Sequence, residues 1–353
     1  MSEHALAADL DYILQNTQSV WKELKGQRLF ITGGTGFVGT WLLEALIWAN
    51  RELKLELSVT VLTRNTQEFA KKAPHLMREP ALQFLTGDVR HFDFPKEHFS
   101  YVIYAATQAS AKLNQEDPML MVDTIVQGTR HVLDFSVAAK TRKFLFLSSG
   151  AIYGRQPPEL SHLDENYSGA PDILNPNSAY GMGKGMAEHL CILHAKQYQQ
   201  EVKIARCFAF VGPYLPIDTH FAIGNFIRDG LLNTDIKVKS DGSPYRSYQY
   251  AADLIIWLLK ILTEGESCVP YNVGSDEAIS IANVAQLVAK SFNDDLVVNI
   301  EKTAQKNTLS ERYVPSVRRA QTALDLKSKI ELPEAILKTI AWYRLHPERI
   351  GNN

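Results

Sequence analysis

The chain has 353 residues, 45% hydrophobic and 22% charged, and its 37 basic against 39 acidic residues leave a formal net charge of −2. Such a composition belongs to a globular protein large enough for a full core, and the scattered basic residues exclude the charged stripe of a nucleic-acid binder. Cys191, Cys207 and Cys268 form no CxxC or Cys/His pattern, so neither a disulfide framework nor a metal site is expected.

The opening "MSEHALAADLDY" has no basic region followed by an apolar stretch, and "LIIWLLKIL" at Leu254–Leu262 is too short to span a bilayer. A cytoplasmic protein without membrane partners is expected. Apolar positions between Asp9 and Lys25 predict an amphipathic helical extension over residues 1–25, padding either the core or an oligomer interface. From Gln27 the runs "RLFITGG", "SVTVLTR", "LQFLTGD", "SYVIYAAT", "KFLFLSS" and "VKIARCFAFVG" alternate with helical stretches. Short continuous apolar runs separated by helices predict an α/β fold, a doubly wound parallel Rossmann sheet covered on both faces. That domain is expected over residues 26–212, completed by 247–272, with a smaller α/β substrate lobe from 213–246 and 273–353.

"FITGGTGFVGTWLLEAL" sets Gly33, Gly36 and Gly39 directly after the first strand and at the start of a helix. Glycines permit the tight turn and close approach that a pyrophosphate needs, and the helix N-terminus at Phe37–Val38 offers free N–H groups. The loop, with Thr35, is therefore read as a dinucleotide site. After the second strand stand Thr63, Arg64 and Asn65, where an acidic residue would read a ribose. Arg64 suits a 2′-phosphate, favouring NADP over NAD, although a solvated strand-end charge would look the same. Asp88, with Val89 beside it, is positioned to meet adenine or merely to close a turn. Ala105, Ala106 and Thr107 follow the fourth run and complete the cofactor-binding set.

"LFLSSGAIYG" ends the fifth run, and "SAYGMGKGMAEHL" follows after a loop. Tyr180 and Lys184 stand four apart, on one face if the segment is helical. Three glycines in that segment each cost a helix roughly 1 kcal/mol relative to alanine, so something must approach closely.

The order of glycine loop, serine-bearing strand end, then Tyr and Lys resembles the extended short-chain dehydrogenase/reductases, the NAD(P)-dependent epimerase/dehydratase family, over roughly residues 26–330. The resemblance implies that Ser149 orients the reacting oxygen, Tyr180 is the general acid/base, and Lys184 favours its phenolate and holds the nicotinamide ribose. It implies a nucleotide-sugar substrate, contacted at Ser149, Gly150, Ala209, His220 and Phe221, with Arg246 and Arg312 as phosphate candidates. It also implies a homodimer built on the Tyr180 helix. Gly181 and Gly185 are expected on the close-approach face, and Arg318 and Arg319 as surface arginines.

Gly150 and Ala151 stand where sugar-nucleotide 4,6-dehydratases resembling this chain carry acidic residues, which leaves elimination without its acid. The expected activity is a nucleotide-sugar 4-epimerase acting through a 4-keto intermediate. The alternatives are an NADPH-dependent 4-keto-sugar reductase and, behind these, a 4,6-dehydratase or a non-catalytic NADP sensor. His220 is either an acid/base or a hydrogen-bonding loop residue.

Overall fold

The computed structural model describes residues 4–106, 111–219, 221–292, 296–303 and 309–351. All six apolar runs form strands of one sheet: β1 (Arg28–Thr32), β2 (Ser58–Thr63), β3 (Leu82–Thr86), β4 (Tyr101–Tyr104), β5 (Lys143–Ser149) and β6 (Glu201–Cys207). A seventh, β7 (Pro270–Val273), pairs with β6, giving the order β7-β6-β5-β4-β1-β2-β3 with every pairing parallel. The order reverses between β1 and β4. Loops leaving the strand ends on either side of that point diverge, which opens a crevice at the carboxyl edge.

Each strand feeds two cores because its side chains alternate. Leu29, Ile31, Tyr101, Ile103, Leu145 and Leu147 face helices Phe37–Leu53 and Ala251–Glu264. Phe30, Val102, Tyr104, Phe144 and Phe146 face helices Pro118–Ala138 and Ala179–Tyr198. Burial on both sides explains why these runs read as continuously apolar. Asp117 starts the first of the latter helices by accepting the Leu120 N–H at 3.0 Å, with Pro118 in the first turn.

The N-terminal extension is two helices, Ala7–Asn16 and Gln18–Leu24, separated at Thr17, whose hydroxyl donates back to the Ile13 carbonyl. Leu10, Ile13, Val20, Trp21 and Leu24 are all at most 1% exposed, so the extension pads the core. Tyr12 donates to Asp253 at 2.7 Å and Tyr250 to Asp9 at 2.6 Å, fixing it to the helix Ala251–Glu264. Nearby, buried Glu44 meets His4, His75 and Tyr214 at 3.3, 2.8 and 2.6 Å. Burial would raise its carboxyl, but these hydrogen bonds pull it down to about 2. Among the described residues His4, Glu44 and His75 are the one group close enough to hold a metal ion. His4 Nδ1, however, accepts the Leu6 N–H at 3.2 Å, which leaves its proton on Nε2, pointed at Glu44. The group is a hydrogen-bonded clamp in this protonation state.

The C-terminal half adds three small sheets over the carboxyl edge. Phe210–Val211 pairs with Gln249–Tyr250, and Ile236–Val238 with Val298–Ile300. Tyr245–Arg246 lies between Ile279–Ser280 and Arg312–Tyr313, the register setting Tyr313 beside Arg246 and Arg312 beside Tyr245.

Candidate active site

The glycine loop crosses from β1 to the helix Phe37–Leu53. Gly33 has φ +70°, and a Cβ there would stand 2.5 Å from the Ala105 carbonyl carbon and 2.6 Å from the Ala106 nitrogen. Gly39 supports the same turn, since its Cβ would fall 2.3 Å from the Gly33 oxygen. Gly36 has room for a side chain on the protein side and caps the helix in extended conformation. The first N–H groups of that helix, from Phe37, Val38 and Gly39, lack carbonyls one turn earlier, and Gly33, Thr35 and Gly36 just before them line the crevice. Gly33→Ala is therefore expected to abolish dinucleotide binding, measured by calorimetry, while the chain stays folded by circular dichroism.

A cleft of about 390 Å³ runs from this loop past Thr63, Arg64 and Asn65 to Asp88, Val89, Ala105 and Ala106. Arg64 is exposed at its mouth. Asn65 caps the helix Thr66–Lys72 by accepting the Glu68 N–H, and Thr63 lies 3.4 Å from the Thr35 hydroxyl. Asp88 takes both Nε and Nη2 of Arg90 at 2.9 Å, and that pairing holds its carboxyl down to about 2. It remains an anion with lone pairs to spare. Lys72, which no sequence motif singles out, lines the same cleft and donates to the Thr35 carbonyl at 3.0 Å; burial lowers its ammonium to about 8. Thr107 and His220 lie outside the described residues.

At the other end of the crevice the Tyr180 segment is helical throughout, within Ala179–Tyr198. Asn114 anchors its start, accepting the Tyr180 N–H at 3.0 Å and donating to the Asn177 carbonyl at 2.7 Å. Two of its glycines are close-approach positions. A Cβ on Gly181 would meet the Ala151 oxygen at 2.6 Å, and one on Gly183 would crowd Ile125 of the neighbouring helix at 3.2 Å. A Cβ on Gly185 would meet no atom of this chain within 4 Å, and Gly183 lies on a different face from Gly181.

Ser149 ends β5, its hydroxyl accepting the Ala151 N–H at 3.1 Å, and lies near enough to Tyr180 to influence its phenol. Burial pushes the Tyr180 phenol up to about 12, with the Ser149 hydroxyl pulling the other way. Lys184 donates to the Leu147 carbonyl at 2.7 Å and sits 4.9 Å from the centre of the Phe146 ring. Burial brings its ammonium down to about 8. Behind the site Glu188, one turn on, takes Arg206 Nη2 at 2.8 Å and the Ser148 hydroxyl at 2.5 Å.

The substrate candidates surround the same edge. Gly150 is buried beneath Phe208 and the Tyr313 hydroxyl, which lie 2.5 and 2.7 Å from where its Cβ would be. Arg246 is half-buried over the Tyr313 ring at 5.9 Å and donates to Glu311 at 2.7 Å, while Arg312 covers the Tyr245 ring at 4.3 Å. Ala209 follows β6 and accepts the Gln249 N–H at 3.0 Å; Phe221 stands at the start of the helix Ala222–Leu231. Arg318 is exposed as expected, but Arg319 is held, donating to the Pro270 carbonyl at 2.9 Å and to Asn166 at 2.7 Å.

Comparison with known proteins agrees with this geometry. The profile of the NAD dependent epimerase/dehydratase family matches residues 29–274. UDP-glucuronic acid decarboxylase 1 of Xenopus tropicalis is 27% identical over 327 residues, 93% of this chain and 74% of that protein. Two solved structures share the fold. The UDP-glucuronic acid 4-epimerase from Bacillus cereus, in complex with UDP-glucuronic acid and NAD, superposes with a TM-score of 0.77 at 21% identity, covering 90% of this chain and 99% of that one. The dTDP-glucose 4,6-dehydratase from Streptomyces venezuelae does so with a TM-score of 0.77 at 22% identity, covering 91% and 98%. Among the described residues no helix is long and apolar enough to cross a membrane. The chain thus belongs to the NAD-dependent epimerase/dehydratase family of extended short-chain dehydrogenase/reductases, and is an enzyme that works with a nicotinamide dinucleotide.

Proposed function

We propose that the enzyme is a nucleotide-sugar 4-epimerase in which Ser149, Tyr180 and Lys184 are the catalytic residues. The observation that carries this reading is the meeting of Ser149 with Tyr180 at an edge where positions 150 and 151 hold glycine and alanine rather than acids. The crevice fits a dinucleotide, because the turn at Gly33 excludes a side chain and Gly33, Thr35 and Gly36, which line the crevice, lead straight into the helix that begins at Phe37.

Tyr180, as phenolate, takes the proton of the sugar's C4 hydroxyl while Ser149 holds that oxygen by a hydrogen bond. The Lys184 ammonium stabilises the phenolate through its charge. A nicotinamide dinucleotide held at the glycine loop of Gly33 and Gly36 would supply the hydride acceptor and donor for C4. Tyr180 then gives its proton back to the C4 oxygen, so the cycle consumes neither reductant nor water. Arg246 and Arg312 are assigned to the substrate's phosphates, Ala209 and Phe221 to its walls. Elimination of the 6-hydroxyl has no carboxylate at positions 150 and 151 to drive it.

A keto-sugar reductase is the second reading, and Arg64 at the adenosine end favours it through preference for NADPH. Arg64→Ala is expected to weaken NADPH binding by about tenfold, worth about 1.4 kcal/mol, with NADH binding unchanged; equal losses for both dinucleotides would remove the argument for NADP. The function itself is tested by incubating the protein with UDP-glucose or UDP-glucuronic acid. An isobaric sugar formed without net change in dinucleotide supports the epimerase. A product lighter by one CO₂ would move the enzyme to the activity of the Xenopus relative, and stoichiometric loss of NADPH with a 4-keto sugar would make it a reductase.

A homodimer and a cytoplasmic setting complete the proposal. Met182, Met186 and Leu193 expose 37, 51 and 49% of their surface along the helix carrying Tyr180, an apolar line that a second copy would cover. Met186→Lys is expected to yield monomers by sedimentation velocity. All three cysteines are free, in keeping with a reducing compartment.

A further inference from the structure

Two basic side chains at the adenosine end of the crevice have no anion of their own. Arg64 follows β2, Lys72 ends the helix Thr66–Lys72, and both line the cleft. Among the described residues neither makes an ion pair, and the Lys72 Nζ makes one hydrogen bond, donated to the Thr35 carbonyl at 3.0 Å. Glu68, one turn before Lys72, also lines the cleft but stands exposed and does not pair with it. Across the same cleft the charges are matched, since Asp88 takes Arg90 through two bonds of 2.9 Å.

Lys72 is held where it is from behind. Its Nζ lies 5.7 Å from the centre of the Tyr214 ring, and Arg349, 5.2 Å from that ring, donates to the Lys72 carbonyl. Burial brings the ammonium down to about 8, and the Arg349 charge pushes the same way. A half-buried ammonium that holds only a carbonyl has given up water without gaining a counter-ion, which is costly unless an anion completes the site. A dinucleotide brings two kinds of anion. The pyrophosphate, common to NAD and NADP, belongs to the helix start at Phe37. Thr35 precedes that start, and its hydroxyl lies 3.4 Å from that of Thr63 at the end of β2, the place where a Rossmann fold reads the adenosine ribose. Lys72 therefore stands on the ribose side of the loop, where only NADP carries a phosphate.

We propose that Lys72 joins Arg64 in a subsite for the 2′-phosphate of NADP, and that Lys72 is a determinant of the choice between NADP and NAD. The proposal rests on the reading of Arg64 as a 2′-phosphate contact and holds for any hydride route at the other end of the crevice. Lys72 supplies a half-buried point charge, oriented by the Thr35 carbonyl, with two of its three ammonium protons left for phosphate oxygens. Arg64 at the mouth adds a planar fork that can close on the same group.

The test is calorimetric titration of the full chain with NADP, NAD, 2′,5′-ADP and ADP. The wild type is expected to bind the 2′-phosphorylated member of each pair more tightly. Lys72→Met, which keeps an apolar stem beside the Tyr214 ring, is expected to weaken NADP and 2′,5′-ADP about tenfold and to leave NAD and ADP within about twofold. Lys72→Gln, which offers Thr35 a neutral donor in place of the charge, is expected to show the same selective loss. Adding Arg64→Ala to either is expected to abolish the preference. Equal losses for all four probes would make Lys72 a brace of the glycine loop and overturn the proposal. So would a wild type that prefers NAD, or a Lys72→Gln chain that keeps the wild-type preference. If Arg64→Ala alone loses NADP selectively, the 2′-phosphate reading stands and the role of Lys72 falls; if none of the four probes binds, the dinucleotide reading of the crevice falls and takes the proposal with it.

Discussion

Tyr180→Phe is expected to lower kcat by about 10²- to 10⁴-fold, the range general acid–base catalysis supplies, while leaving dinucleotide affinity within a few-fold of wild type. The substitution removes one oxygen. It leaves the ring, the helix hydrogen bond from the Tyr180 N–H to Asn114, and the Lys184 bond to the Leu147 carbonyl in place. The sign of the pH dependence follows from burial. The phenol stands at about 12, so the phenolate is scarce at neutral pH and the wild-type rate should rise with pH, the rise levelling off as the Lys184 ammonium, brought down to about 8, loses the charge that supports the phenolate. In Tyr180→Phe that rise should vanish with the rate. Wild-type turnover in this variant would take the acid/base role away from Tyr180, whereas dinucleotide binding with no turnover in either protein would leave the fold with a sensing role. Single-turnover measurements of dinucleotide reduction, read against binding titrations, separate the two.

What the sequence made legible is what it encodes locally. The strand runs were plain because β1, β4 and β5 are buried on both faces, so their residues are apolar without interruption. The glycine loop was plain because one short segment supplies both the turn and the helix start, and the Tyr180–Lys184 pair because four residues of helix bring the two to one face. The glycines were harder. A Cβ on Gly183 would crowd Ile125, about 60 positions earlier, and one on Gly185 would meet no protein atom within 4 Å, a difference that no property of the segment itself encodes. Tyr313 and Lys72 were missed for the same reason: each reaches the crevice from an element whose own sequence shows only a strand end or a basic helix terminus. Arg319 looked like a surface charge because the carbonyl it binds, that of Pro270, belongs to β7. That Glu311 holds the Arg246 guanidinium could not be read from the sequence, because the two stand 65 residues apart.

The helix that carries Tyr180 and Lys184 is held in place from below by charge, and removing that charge is expected to have the largest effect on stability. Arg206→Met should destabilise the chain by about 3–5 kcal/mol, the loss that follows when one partner of a buried ion pair is deleted. Glu188 and Arg206 expose only 10 and 13% of their side chains. Both carboxylate oxygens of Glu188 are used, Oε1 by the Ser148 hydroxyl at 2.5 Å and Arg206 Nε at 3.0 Å, Oε2 by Arg206 Nη2 at 2.8 Å. The remaining Arg206 nitrogen, Nη1, donates to the Tyr153 hydroxyl at 2.8 Å and the Glu165 carbonyl at 3.2 Å, and Tyr153 donates onward to Asn272 at 2.8 Å. One guanidinium therefore joins the helix Ala179–Tyr198 to β6, to the turn after β5 and to β7. Without it, Glu188 keeps its charge and loses its counter-ion, whereas Glu188→Leu with Arg206→Met removes both charges and should recover most of the loss, because a hydrophobic pair needs no desolvation of ions. Denaturant unfolding of the two single variants and the double variant measures the coupling. An Arg206→Met chain within about 1 kcal/mol of wild type would show that the pair behaves like an exposed one. Activity should fall further than stability requires, since Ser148 directly precedes Ser149 and Glu188 lies one turn beyond Lys184: loosening the pair frees both sides of the hydroxyl that Tyr180 must meet.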